Sequence, residues 1–144
     1  MLKTSETSVA EILLISDNIF QVSIKKGAIV DLTAAKQLIY ATNDLLESNS
    51  PLRGGIYDIT EIDHITDDAR TYLSDNTDIK GTVVGVALIS NSFIGKMVGN
   101  LFITLGGPRN YPIRFFESGM RAEHWVRQQM ETAKNLKAVQ QDVA

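Results

Sequence analysis

Strand-like alternation and helical spacing trade places along this chain of 144 residues. EILLISDNIFQVSIKK (11–26) reads as two strands joined at Asp17-Asn18, residue types that tolerate tight turns. VDLTAAKQLIYATNDLLESNS (30–50) then shifts to helical spacing. Ala35, Leu38, Ile39, Thr42, Leu45 and Leu46 form one stripe, Asp31 is placed to cap the helix, and the polar ESNSP ends it. Pro51 to Gly55 reads as a turn, GIYDIT (55–60) as a short buried strand, DDARTYLSD (67–75) as a short helix and NTDIKG (76–81) as a loop. TVVGVALIS (82–90) is β-branched and apolar on both faces, the pattern of a central parallel strand.

NSFIGKMVGNLFITL (91–105) predicts a third helix, closed by Gly106, Gly107 and Pro108. YPIRFFES (111–118) predicts a strand. SGMRAEHWVRQQMETAKNLK (118–137) predicts an amphipathic helix with Ala122, Trp125, Val126, Gln129, Ala133 and Leu136 inward. The order β-β-α-β-α-β-α-β-α implies a single α/β domain over residues 1–144, with a mixed, mostly parallel sheet covered by helices. Its ordered core spans about 9–137, and residues 1–8 and 138–144 are expected to be mobile tails.

Composition narrows the function. Apolar residues make up 44% and charged residues 22%, as in a soluble globular protein, and the length suffices for one core. The absence of cysteine excludes a disulfide framework, a thiolate metal site and a cysteine nucleophile, and suits a reducing cytoplasm. A net charge of −3 argues against nucleic acid as partner. No apolar run is long enough for stable membrane insertion, and MLKTSETSVAE does not have the pattern of a signal peptide.

The stretch YDITEIDHITDDAR (57–70) is the densest in candidate chemistry. Asp58, Glu61, Asp63, His64, Asp67 and Asp68 offer metal ligands. Alternate side chains on a strand diverge, however, and neither an EF-hand order nor HExxH is present, so no metal is expected. Helix initiation explains the stretch better: Thr66 stands at the N-cap position, Asp67 and Asp68 lie at the positive end of the helix dipole, and Ala69, Tyr72 and Leu73 supply the buried stripe. His64 is then a loop residue. Ser90 to Met97 imitates a phosphate loop but lacks its first glycine and the hydroxyl after the lysine, which leaves Lys96 a solvated charge and no nucleotide cofactor expected. Arg109 and Arg114 read as surface charges flanking a strand.

The third helix is apolar around a wide arc, with Phe93, Ile94, Met97, Val98, Leu101, Phe102, Ile103 and Leu105. Gly95 and Gly99 would let another backbone come close. Two readings stand: a helix deep beneath its neighbours, or an interface for a second copy or an apolar ligand formed by Phe93, Ile94, Gly95, Met97, Val98, Gly99 and Phe102.

YDIT, the spacer EIDHI, the capped TDDARTYL, the strand GVALI and the late RFFES…AEHWV together resemble the anti-sigma factor antagonist (STAS) superfamily. Within it, they are similar to the uncharacterised bacterial SpoIIAA-like branch, also labelled STAS/Sec14-like, over about residues 9–137. The resemblance implies a non-enzymatic regulatory module that binds a protein partner through the start of the second helix. Signalling members open that helix with an Asp-Ser-Ser-Gly-like motif whose serine is phosphorylated. Thr66 matches the aspartate, Asp67 and Asp68 the serines, and Ala69 the glycine, so the serine switch is missing. The alternative is a carrier or sensor of a small apolar or lipid-like ligand, which the Sec14-like label implies. A small enzyme using Asp58, His64 and Asp67 ranks last, because no nucleophile–base pair can be assembled, and no catalytic residue is assigned.

Overall fold

The structure, a computed structural model, describes residues 3–46, 52–75, 78–105 and 111–143. Among the described residues, eight strands and four helices follow one another as β1 (Thr4–Glu6), β2 (Ala10–Ser16), β3 (Ile19–Ile24), β4 (Ile29–Val30), α1 (Leu32–Leu45), β5 (Leu52–Asp58), β6 (His64–Ile65), α2 (Asp67–Asp75), β7 (Thr82–Ile89), α3 (Phe93–Leu105), β8 (Ile113–Phe116) and α4 (Gly119–Val143). Six strands form the main sheet in the order β1-β2-β3-β5-β7-β8. The first two pairings are antiparallel and the next three parallel, with Val22 opposite Tyr57 and Tyr57 opposite Leu88.

From β3 onward the parallel strands are laid down stepwise in one direction. With one hand of crossover, the rule for such connections, the crossing helices fall on one face. Side chains of α1, α2 and α3 (Leu38, Leu73, Val98, Phe102) share a core with Phe20, Val22, Tyr57 and Leu88. The chain leaves β8 into α4, which folds onto the opposite face, where Ala122, Val126 and Met130 meet Ile19, Ile56, Ala87 and Ile89. Alternation along β5 separates the two layers: Ile56 belongs to one and Tyr57 to the other. Full burial of a side chain such as Phe20 or Ile56 stabilises by about 1.5–3 kcal/mol. Because the strand order never reverses, the sheet has no switch-point crevice of the kind that holds nucleotides in doubly wound folds.

Several local expectations are corrected. Residues Leu52 to Gly55, read as a turn, are the first half of β5. Glycine there serves packing: a Cβ on Gly54 would lie 2.4 Å from Val126 Cγ1, and one on Gly55 2.8 Å from the Phe20 ring. The β5 strand ends at Asp58, two residues short of the expected limit. Thr4–Glu6, placed in a mobile tail, is an edge strand on β2. His64 is not in a loop but in β6, paired with β4 in a separate two-stranded parallel sheet. Leu136 is exposed and Met130 takes an inner position, because α4 outruns the sheet that covers its first turns. Ile79, in the expected loop, is buried in the larger core. Pro51, the ESNS segment, the helix closure at Gly106, Gly107 and Pro108, and Arg109 lie outside the described residues.

Candidate interaction site at the strand ends

The C-terminal ends of β3, β5 and β7 are stitched together by the segments that follow them. The Gly27 amide donates to the Glu61 carbonyl at 2.9 Å, and the Ile59 amide to the Ile89 carbonyl at 2.9 Å. The Ser92 hydroxyl donates to the Thr60 carbonyl at 2.7 Å. That hydroxyl also accepts the Gly95 amide at 3.0 Å, which makes Ser92 the cap of α3. Lys26, Thr60, Glu61, Asp63, Ser92 and Phe93 are among the residues that line an open groove of about 410 Å³ here. It is bordered by charge of both signs and, on the α3 side, by Phe93 and Ile94.

The wide apolar arc of α3 resolves into two faces. Gly95, Val98, Gly99 and Phe102 are buried. A Cβ on Gly95 would come within 2.2 Å of Ser90 Oγ and 2.7 Å of the Ile59 carbonyl oxygen, and one on Gly99 within 2.2 Å of the Phe115 ring. The glycines thus let α3 press against its own domain. Phe93, Ile94, Met97 and Leu101 point outward, with Phe93 78% and Met97 51% exposed. Of the residues expected to form an interface, Gly95, Val98, Gly99 and Phe102 instead pack into the chain's own domain, and Phe93, Ile94 and Met97 are exposed.

The start of α2 is built by the small sheet. Ile65 in β6 lies beside Val30 in β4, and the Thr66 amide donates to the Val30 carbonyl at 3.0 Å. The two short strands thus launch α1 and α2 side by side. Asp31 caps α1 through the Ala34 amide at 2.8 Å. At α2 the acid does more of the capping than the threonine. Asp68 Oδ1 accepts the Ala69 amide at 2.8 Å, whereas Thr66 Oγ1 lies 3.4 Å from it and donates to Asp68 at 2.5 Å. The Thr66 hydroxyl holds the Asp68 carboxyl below the ordinary carboxylate range, assisted by the backbone amides and opposed by partial desolvation. Asp67, 92% exposed, pairs with Arg70 Nη1 at 3.1 Å, and the arginine side chain is nearly buried.

The remaining candidates fall outside these surfaces. Asp58 binds the Thr60 amide at 3.1 Å. Among the described residues no group of three His, Cys, Asp or Glu side chains is close enough to hold a metal ion. In the phosphate-loop imitation Ser90 is buried, and Lys96 is held by Glu117 at 2.9 Å instead of standing free in solvent; that contact draws the Glu117 carboxyl below its usual range. Arg114 stacks over the Phe116 ring at 5.4 Å. The groove residue Lys26 was not singled out in the sequence, since nothing local announces that the chain folds it beside Ser92. Tyr57, buried with an unpartnered hydroxyl, was hidden within an apolar strand.

Among the described residues no helix is long and apolar enough to cross a membrane. A family model described as "Domain of unknown function (DUF7793)" matches residues 13–130. No curated protein matches the chain. Among solved structures, the chain is similar to an uncharacterised protein of the DUF3478 family with a SpoIIAA-like fold from Shewanella loihica PV-4. The identity is 17%, over 88% of this chain and 92% of that one, with a TM-score of 0.47. At that distance the fold description rests on the chain's own strand order.

Proposed function

From a chain that belongs to the DUF7793 family, whose description carries no activity, we propose a non-enzymatic protein-interaction module of the regulatory kind. The observation that carries this reading is the outward face of α3. Phe93, Ile94 and Met97 stand exposed in succession on a helix whose other side is locked to the sheet. Apolar side chains grouped in this way mark contact surfaces, whereas single ones are ordinary. The adjoining groove adds a polar rim from Lys26, Glu61 and Asp63, matching the anatomy of an interface with an apolar centre. The partner is a protein with a complementary apolar patch, and a second copy of this chain satisfies the same chemistry.

The start of α2 follows the groove residue Asp63 by a few positions along the chain. Asp67 and Asp68 are held by Arg70, Thr66 and the Ala69 amide, so they present fixed negative charge without the hydroxyl of a serine switch. A photo-crosslinking residue at Phe93, compared with one at Lys134 on α4, tests the reading in native lysate. Adducts specific to position 93, with one protein or with a second copy, are expected. Equal adducts from both positions would contradict it.

The carrier reading gains support only for a ligand much smaller than a lipid. The cavity under the helices measures about 30 Å³, room for roughly two water-sized groups.

A further inference from the structure

The chain has four methionines and no cysteine, so thioethers are the sulfur it offers to an oxidant. Their surroundings differ. Met130 is 5% exposed and packs with Ile19 and Val126 on the sheet. Met120, at the start of α4, is 84% exposed. Met97 is half exposed and stands midway in the row Phe93, Met97, Leu101, whose members lie about one turn apart on α3 and are all open to solvent. The adjoining Val98 and Gly99 are buried against the domain, so a change at the Met97 sulfur alters the outward face of α3 and leaves the core as it is. Met1 lies outside the described residues.

We propose that Met97 is a reversible oxidation site: hydrogen peroxide converts its thioether to the sulfoxide, and the sulfoxide closes the α3 face to its partner. The proposal rests on the interaction reading above and names a regulation of that surface. In the forward step a lone pair of the Met97 sulfur attacks one peroxide oxygen. The O–O bond breaks, an S–O bond forms, and the other oxygen leaves as water once it has taken a proton, so sulfur is oxidised by two electrons and peroxide reduced by two. In the return step two thiols of a sulfoxide reductase supply the electrons, the oxygen departs as water and the thiols become a disulfide. The reductase must be a separate protein, because this chain has no cysteine. A thioether fits an apolar contact through its flexible, polarisable side chain. A sulfoxide carries a strong acceptor oxygen, and burying that oxygen opposite an apolar patch removes its water without giving it a donor. The loss expected is about 5- to 100-fold in affinity, the range for an unpaired buried polar group.

The test treats the purified full chain with hydrogen peroxide, removes the oxidant, and maps sulfoxide by peptide mass spectrometry. Met97 and Met120 are expected to convert while Met130 is spared, with the urea midpoint unchanged. Labelled chain is then sedimented in its own lysate, gel-filtered first so that no small-molecule reductant drives repair. Untreated wild type is expected to enter a complex, the oxidised chain to lose it, and repair by the two epimer-specific sulfoxide reductases with dithiothreitol to restore it. Met97→Leu is expected to keep the complex before and after peroxide, and Met120→Leu to remain as sensitive as the wild type. A Met97 thioether that survives while Met120 oxidises, an oxidised chain that binds as well as the untreated one, or a Met97→Leu chain that peroxide still disables would overturn the oxidation site and leave the interaction reading standing. An untreated wild type that enters no complex would overturn both.

Discussion

Gly95→Ala sets two physical effects of opposite sign against each other. In an unobstructed helix interior, alanine in place of glycine stabilises by about 1 kcal/mol. Here the added methyl would stand 2.2 Å from Ser90 Oγ, 2.7 Å from the Ile59 carbonyl oxygen and 2.7 Å from Ser92 Oγ. Ser90 is fully buried and Ser92 is tied to the Thr60 carbonyl, so neither hydroxyl can yield without breaking bonds of its own. The carbonyl belongs to the backbone that leaves β5. Overpacking of this kind costs about 1–3 kcal/mol, and displacing the Ser92 cap adds about 0.5–2 kcal/mol. The sum exceeds the propensity gain. Net destabilisation of about 1–3 kcal/mol is expected, read by urea unfolding as a lower midpoint at unchanged slope, and by heat as a melting point lower by about 3–9 °C. A stability equal to or above that of the wild type would refute the close seating of α3, and with it the division of this helix into a locked face and a free one.

The other expectations concern groups away from that contact. Tyr57→Phe removes a buried unpartnered hydroxyl and is expected to raise stability by about 1 kcal/mol in urea unfolding; a loss would mean that the hydroxyl has a partner. Arg53 is fully buried, with Nε donating to the Lys80 carbonyl at 3.1 Å and Nη1 to the Asp17 carbonyl at 2.9 Å. Arg53→Lys cannot reach both carbonyls and is expected to cost about 2–3 kcal/mol in the same measurement. Thr66→Val deletes the largest cause of the lowered Asp68 pKa, so carboxyl NMR should show the Asp68 titration moving up toward the ordinary range. Since that pKa is lowered by folding, its stabilising contribution is complete above the unfolded carboxyl pKa of about 4 and fades as pH falls through the folded value.

What the sequence could disclose followed the strength of its apolar periodicity. The strand at 82–90 and the stripe at Ala122 and Val126 were legible because burial there is two-sided or regularly spaced. The start of β5 was not. Arg53, Gly54 and Gly55 read as a turn, yet an arginine whose donors are taken by backbone carbonyls can be buried, and glycines are needed where Val126 and Phe20 press on the strand. The edge strand Thr4–Glu6 has no apolar face to announce it, and its register comes from backbone pairing with β2. The two-residue strands β4 and β6 are too short for any periodicity. At α2, Thr66, Asp67 and Asp68 were correctly located at the helix start, but which of them takes the Ala69 amide depends on distances that spacing does not contain. Likewise, the breadth of the apolar arc on α3 was visible in the sequence, whereas its division into two faces required the partners of Gly95 and Gly99.

The most direct test of the interaction surface is sedimentation of labelled protein at trace concentration in its own lysate, wild type against Met97→Asp. The wild type is expected to sediment faster than a 15.9 kDa chain, and the variant, folded to the same stability, to fall back to the rate of a monomer. A wild type that already sediments as the single chain, or a variant that keeps the faster rate, would contradict the account.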